Sequence, residues 1–148
     1  MLEKLLEPMP VSLLIIDDDE DDRELFCEAA LELDKDLKCT SCGGGEEALK
    51  LLRSSKNVKP DFIFLDMNMP RMSGKQCLSK LKESKSCRDI PVIIYSTAKI
   101  DRDVAEVKRL GAAAFLIKPS RQKDLMHSIQ MVIDQKWENV ESTVRLPM

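Results

Sequence analysis

Short apolar runs alternate with longer segments of helical periodicity five times along this chain of 148 residues. Runs of this kind, bounded by turn residues, are typical of strands buried in a sheet. Strands that alternate with helices of about a dozen residues connect through right-handed crossovers and form a parallel sheet covered on both faces. The chain is therefore predicted to be an α/β protein. The five predicted strands are Ser12 to Ile16, Leu37 to Cys42, Asp61 to Asp66, Val92 to Tyr95 and Ala113 to Ile117.

The segments that follow these strands predict five helices. One begins at the triple glycine Gly43 to Gly45, and another begins at Ser73-Gly74. The other three span about Asp21 to Leu33, Asp101 to Leu110 and Arg121 to Lys136. Five strand–helix units suit a doubly wound sheet, so we expect a flavodoxin-like (βα)5 architecture with five parallel strands in the order 2-1-3-4-5.

The pattern accounts for one domain. We expect it to cover residues 12–136, with an N-terminal extension at residues 1–11 and a C-terminal tail at residues 137–148. No internal repeat, low-complexity segment or linker to a second domain interrupts the pattern. We therefore expect a single-domain protein whose output leaves through its own surface.

Composition narrows the class of partner. The net charge of −3 is mild and no basic stripe is present, so we expect no obligatory nucleic-acid partner. No apolar run approaches the roughly 20 residues that span a bilayer, and the N-terminus lacks the apolar core of a signal peptide. The five cysteines are odd in number and scattered, which favours reduced thiols in a cytoplasmic protein. Cys39 and Cys42 form a CxxC without a second cysteine pair or a nearby histidine, so we interpret them as ordinary side chains rather than a zinc or redox site.

Polar residues follow four of the predicted strands. They are Asp17-Asp18-Asp19, Asp66, Ser96-Thr97 and Lys118. Because the carboxyl ends of parallel strands meet at one edge of a sheet, we expect these side chains to converge. Two carboxylates about 4 Å apart repel each other by roughly 4 kcal/mol at an effective dielectric constant near 20, so the cluster needs a cation. Few protein ligands with room for water favour Mg²⁺ over Ca²⁺. With the Lys118 ammonium and the Ser96 hydroxyl, the cluster can cradle a phosphoryl group, with Asp66 as the nucleophile.

The residues at these positions match a known family. The acidic pair Asp17-Asp18 after an apolar strand, Asp66 in the stretch DMNMPRMSG, Ser96, Phe115 and Lys118-Pro119 occur in the order and spacing of that family. The chain resembles the receiver domain of two-component response regulators, in its stand-alone form, from about Ser12 to Lys136.

The resemblance implies a role for each matching residue. Asp66 would accept a phosphoryl group from a histidine kinase or a histidine phosphotransfer protein. Asp17 and Asp18 would hold Mg²⁺ together with the Asp66 carboxylate and the backbone carbonyl of Asn68. Asp19 is either a third acid at the metal or the cap of the following helix.

The resemblance also implies how the phosphoryl group is sensed. Ser96 would hydrogen-bond it and Lys118 would pair with its oxygens, while Ser96 and Phe115 would form the switch. The spacing from Pro91 favours Ser96 over Thr97 for this role. Movement of the two switch residues would remodel the surface of the fourth helix, fifth strand and fifth helix, where a downstream protein target would bind.

An EF-hand is a rejected alternative for the acidic run. Asp17, Asp19, Asp21 and Glu28 match ligand positions of its loop. However, Asp22 occupies the position that requires glycine, and an apolar strand rather than a helix precedes the loop.

Two other function classes stay open as alternatives. Asp66 and Asn68 resemble the DxD motif of haloacid-dehalogenase-type phosphatases, but an amide at residue 68 cannot act as the second acid/base. A receiver-like adaptor that works without phosphorylation is the other alternative, against which the intact acidic residues and Lys118 argue.

Two features of the last predicted helix carry weaker hypotheses. We interpret His127 as a surface residue rather than a relay histidine. The apolar stripe Ile129, Ile133, Trp137 and Val140 predicts packing against the chain's own sheet, with a homodimer contact as the alternative.

Overall fold

The computed structural model describes residues 11–54, 56, 59–97 and 101–135, together with the backbone of Thr143–Arg145. Within this part of the chain there are six strands and five helices. The strands are β1 (Ser12–Ile16), β2 (Lys38–Cys42), β3 (Phe62–Leu65), β4 (Val92–Ser96), β5 (Ala114–Ile117) and β6 (Thr143–Arg145). The helices are α1 (Glu20–Leu33), α2 (Gly45–Arg53), α3 (Gly74–Glu83), α4 (Asp101–Arg109) and α5 (Gln122–Ile133).

The five predicted strands and their order are confirmed. Strands β1 to β5 pair in parallel in the order 2-1-3-4-5. The sheet also contains β6, which pairs antiparallel with β5 at its edge and lies within the segment predicted as a tail. This strand is three residues long and too short to show the alternation of apolar and polar residues by which strands are recognised in a sequence.

The core lies on both faces of the sheet because successive residues of a strand point to opposite sides. Along β1, Leu14 and Ile16 pack under α2, α3 and α4, whereas Leu13 and Ile15 pack under α1 and α5. All four of these side chains are buried. The continuous apolar runs of β1, β3 and β4 are therefore explained by burial on two faces.

Helix α5 packs on its own sheet where the structure describes it. Ile129 is fully buried and Ile133 packs against the same core, whereas Trp137 and Val140 lie outside the described residues. His127 is exposed, as expected. No helix in the described part of the chain has the length and apolar character needed to cross a membrane.

Candidate functional site

The sheet positions three charged residues at one edge. Asp17, Asp66 and Lys118 each come directly after a strand, and each backbone N–H still donates to a neighbouring strand. These bonds run to Cys42 O at 3.1 Å, to Ile16 O at 2.9 Å and to Ser96 O at 2.7 Å, respectively. Each residue thus continues the hydrogen bonding of the sheet just beyond its strand, and the side chains lie at the carboxyl edge. This confirms the expected convergence of the three residues.

Three carboxylates form a compact group there. Asp17, Asp18 and Asp66 each offer an oxygen, and the three oxygens lie within 4.8 Å of one another. Asp17 is fully buried and Asp66 is only 6% exposed, whereas Asp18 is exposed. One open side therefore admits water or a ligand to two carboxylates that are otherwise enclosed.

The ammonium group of Lys118 lies among these acids. Its Nζ is 2.7 Å from Asp17 Oδ2, 2.9 Å from Asp22 Oδ2 and 3.8 Å from Asp66 Oδ1. It also lies 5.3 Å from the centroid of the Tyr95 ring. Burial works against the charged form of Lys118, but its hydrogen bonds to Asp17 and Asp22, together with the negative charges of Asp17 and Asp66, raise the pKa of the ammonium group above its usual value. Lys118 is therefore a permanent positive charge at the site.

Asp66 is poised between its two protonation states. Burial raises the pKa of the Asp66 carboxyl to about 7. The positive charge of Lys118 and a hydrogen bond from the backbone N–H of Asn68 oppose that rise, while the carboxyl groups of Asp17 and Asp18 add to it. An additional cation at the group would favour the ionised form of Asp66.

The donor set fits a hard divalent cation. It consists of carboxylate oxygens, and the exposed side leaves room for coordinated water. Asn68 lies next to the group, since its backbone N–H hydrogen-bonds the Asp66 carboxylate. Asp19 does not share this arrangement: its side chain accepts hydrogen bonds from the backbone N–H groups of Asp21 and Asp22 and caps α1. The open choice for Asp19 is thus settled in favour of the helix cap.

Ser96 and Phe115 share one face of the sheet. Ser96 is the last residue of β4 and is 2% exposed, whereas Thr97 is exposed. Phe115 pairs in register with Ile94, and Ser96 lies two residues further along the strand, so its side chain points to the same side. Phe115 is fully buried in the cluster that includes Val104 of α4. Ser96 and Phe115 therefore lie on the face of the sheet that α4 covers.

Sequence reasoning missed two residues of α1 that support the site. Asp22 is hydrogen-bonded to Lys118, and Arg23 Nη1 donates to the carbonyl oxygen of Asp17 at 2.8 Å. Asp22 is the third residue of α1 and Arg23 is the fourth, so both lie at the start of the helix that follows β1. The signal available was that helix start, because residues of a first helical turn stay close to the preceding strand end.

Gly74 is the third residue whose role was missed. It was predicted only as the start of a helix, but its backbone N–H donates to Met67 O at 2.9 Å. A Cβ atom at this position would collide with the carbonyl oxygen of Asp66 and lie 2.7 Å from Met67 Cα. The absence of a side chain thus allows α3 to pack directly against the backbone that carries Asp66.

The chain is similar to known proteins, and the similarity covers the residues of this site. The profile of the response regulator receiver domain matches residues 13–130. Two-component response regulator ORR11 of Oryza sativa subsp. indica is 33% identical over 124 residues, which are 84% of this chain and 82% of that protein. Two-component response regulator ARR7 of Arabidopsis thaliana is 31% identical over 134 residues, which are 85% of this chain and 64% of that protein.

Comparison with solved structures identifies the same fold. The Mn(2+)-bound form of response regulator Rcp1 matches with a TM-score of 0.73 and 26% identity, over 94% of this chain and 100% of that one. The Vibrio cholerae chemotaxis protein CheY4 matches with a TM-score of 0.73 and 23% identity, over 83% of this chain and 98% of that one. The profile match extends over most of the chain and includes every residue of the carboxylate group as well as Lys118. The chain therefore belongs to the response regulator receiver domain family.

Proposed function

We propose that this receiver domain accepts a phosphoryl group on Asp66 in a Mg²⁺-dependent reaction. The observation that carries the proposal is the position of the Asp66 carboxylate, which has two further carboxylates within 4.8 Å and the Lys118 ammonium at 3.8 Å. This is a nucleophile with a place for a divalent cation on one side and a fixed positive charge on the other. The proposed donor is a phosphohistidine of a histidine kinase or of a histidine phosphotransfer protein.

In the proposed reaction each residue of the site has a separate chemical role. An oxygen of the ionised Asp66 attacks the phosphorus atom, and the bond from phosphorus to the donor's imidazole nitrogen breaks. Lys118 compensates the negative charge of the phosphoryl oxygens, and the Ser96 hydroxyl donates a hydrogen bond to one of them. Mg²⁺, held by Asp17, Asp18, Asp66 and the Asn68 carbonyl, would supply further neutralisation of that charge.

The signal is proposed to leave through the face formed by α4, β5 and α5. Support comes from the face of the sheet that Ser96 and Phe115 share, where Phe115 packs in one cluster with Val104 of α4. If Ser96 moves toward a phosphoryl group, Phe115 is the large side chain that must repack beside it. A downstream protein target that binds this face would read the change, and a homodimer through the same face is an alternative reader.

The proposal includes the cytoplasm as the place of action. All five cysteines are free thiols, as in proteins kept under reducing conditions.

The test is direct phosphorylation of the whole chain. Incubation with Mg²⁺ and acetyl phosphate, followed by intact mass measurement, should yield a mass increase of one phosphoryl group. The increase should disappear in Asp66→Asn and when EDTA replaces Mg²⁺. A protein that stays unmodified under these conditions would favour the phosphorylation-independent adaptor instead.

The same experiment addresses the phosphatase alternative. A phosphatase of the haloacid-dehalogenase type would hydrolyse varied phosphomonoesters through many turnovers without an accumulated adduct. We expect no such turnover, because Asn68 cannot transfer a proton at the position where that family has its second aspartate.

A further inference from the structure

The two edges of the parallel sheet differ in how they are protected. At one edge, β2 carries the exposed residues Lys38, Thr40 and Ser41. Charged and polar side chains of this kind discourage other strands from adding to an edge. At the other edge, β5 has the sequence AFLI, which contains no charged or polar residue, and its first three residues are buried. The β5 edge therefore lacks the protection that β2 has.

β6 covers the β5 edge instead. The two strands pair antiparallel, with Thr143 opposite Leu116 and Val144 opposite Phe115. An antiparallel neighbour of this kind pairs with the N–H and C=O groups of an edge strand that point away from its own sheet. The backbone of β5 is thus hydrogen-bonded to β4 on one side and covered by β6 on the other.

β6 is held by fewer interactions than the other strands of the interior. It is three residues long and lies at the end of the sheet, whereas β1, β3 and β4 each pair with two neighbours. It also lies beyond residue 130, where the match to the receiver profile ends. The five parallel strands pair with one another without it. β6 can therefore leave the edge without opening the parallel sheet.

The covered edge belongs to the face through which the signal is proposed to leave. β5 is the strand of that face, and Val144 lies opposite Phe115, the proposed switch residue. A protein that pairs with the β5 backbone has to displace β6 first. Such a protein and β6 compete for the same backbone groups.

We propose that the edge of β5 is a docking site for an extended segment of a partner protein, and that β6 is its displaceable cover. The partner segment adds to β5 as an antiparallel strand in the place of β6. The β6 sequence indicates a segment that fits, because Thr143 and Val144 are β-branched residues that favour strands. The link to signalling rests on the proposed function, whereas docking itself does not require phosphorylation of Asp66.

The cover has an advantage over a free segment because it belongs to the same chain. A binding segment that is attached to its site acts as if it were present at about millimolar concentration. A free segment of equal intrinsic affinity therefore competes poorly with β6. Opening of the edge should strengthen the binding of a free segment by about ten-fold or more.

Two prolines open the edge in the full-length chain. Proline has no N–H, and the N–H groups of successive strand residues point to opposite sides. The double substitution Thr143→Pro and Val144→Pro therefore removes a donor to β5 whichever of the two residues supplies it. This chain is called the opened variant. The matched control combines Glu141→Pro with Ser142→Pro, which introduces the same two residues outside β6.

Amide hydrogen exchange measured by NMR tests the cover. In the unchanged protein and in the control variant, the amide groups of β5 that face β6 should be protected. In the opened variant they should exchange about ten-fold faster or more, whereas the amide groups of the central strand β1 should keep their rates. Equal exchange in the two proline variants would overturn the proposal. So would unprotected β6-facing amide groups in the unchanged protein, a result that needs no variant to fold.

Peptide binding tests the docking site. The probe is a synthetic peptide of residues 138–148, added to each isotope-labelled full-length chain at up to about 1 mM. It should shift the β5 amide resonances of the opened variant and bind the unchanged and control chains about ten-fold more weakly or less. The same peptide with prolines in place of Thr143 and Val144 should not bind.

Three results of the binding experiment would overturn the proposal. They are no shift in the opened variant, equal affinity for all three chains, and pairing of the opened variant with a second copy of itself in place of the peptide. No phosphodonor is present in these measurements. Failure of docking is thus distinct from failure of Asp66 to accept a phosphoryl group.

Discussion

The Lys118 ammonium lies closer to Asp22 of α1, at 2.9 Å, than to Asp66, at 3.8 Å. Asp22 is thus a competitor for the cation that a phosphoryl group on Asp66 would need. This competition between Asp22 and Asp66 takes place beside Asp17, whose carboxylate holds the same ammonium group at 2.7 Å. Its strength can be changed by a single substitution that leaves the strand ends intact.

Asp22→Asn should increase the initial rate of phosphorylation by acetyl phosphate a few-fold. The variant removes one negative charge near the incoming phosphoryl group, which is worth about 1 kcal/mol at roughly 4 Å in water, and it releases Lys118. The rate is measured by intact mass against time at fixed Mg²⁺. Asp21→Asn is the matched control because it makes the same change of net charge at an exposed position of the same helical turn. Equal rates for the two variants would contradict the proposed competition.

Lys118→Met should lower the free energy of unfolding by roughly 2–4 kcal/mol in the absence of metal. The substitution leaves the buried Asp17 and the nearly buried Asp66 without their neighbouring cation, and an uncompensated buried charge is costly. Mg²⁺ should restore part of the loss by neutralising the same carboxylates. Urea denaturation with and without Mg²⁺ measures both effects.

Lys75→Met is the control for that loss. Lys75 also makes two ion pairs, to Asp103 at 2.8 Å and to Glu106 at 2.6 Å, but on a more exposed surface. Pairs of that kind contribute up to about 1 kcal/mol, so this variant should be nearly as stable as the unchanged protein. A similar loss in both lysine variants would show that burial of the carboxylates is not the cause.

The affinity for Mg²⁺ should rise about ten-fold between pH 6 and pH 8. The pKa of Asp66 is about 7, raised mainly by burial, so protons compete with the metal below that pH and not above it. Titration calorimetry at several pH values measures the change, and buffers of different ionisation enthalpy report the released proton. The affinity of Asp66→Asn should vary little over the same range. A flat profile for the unchanged protein would mean that Asp66 is already ionised at pH 6.

Gly74→Ala should destabilise the fold by roughly 1–3 kcal/mol, because the new methyl group would overlap the backbone of Asp66 and Met67. Gly44 offers a matched control. It precedes α2 in an extended conformation, with φ at −178°, and an added Cβ would have nothing within 4 Å. Thermal unfolding should therefore separate Gly74→Ala clearly from Gly44→Ala. Equal melting temperatures would contradict the close approach of α3 to the strand end.

The parallel sheet was predictable because strands that are buried on both faces appear in the sequence as continuous apolar runs. The runs in β1, β3 and β4 are continuous and apolar, and the residue after each of β1, β3 and β5 is charged. Parallel pairing then brings Asp17, Asp66 and Lys118 together regardless of helix details. β6 was not predictable in this way, because a strand of three residues is too short to show an apolar pattern.

The supporting contacts of the site were not predictable from pattern alone. Asp22 belongs to an acidic run that reads as a solvated surface, and its role depends on Lys118, 96 residues away in the chain. Such contacts depend on the packing of helices against the sheet, which periodicity does not specify.

The proposed function depends most on Asp66 as the residue that carries the phosphoryl group, so locating that group is its most direct test. After incubation with Mg²⁺ and acetyl phosphate, reduction with borohydride converts an aspartyl phosphate to homoserine, which peptide sequencing by mass spectrometry locates. We expect homoserine at position 66 and at no other aspartate. Homoserine at position 17 or 18, or an unaltered aspartate at position 66 in phosphorylated protein, would contradict it.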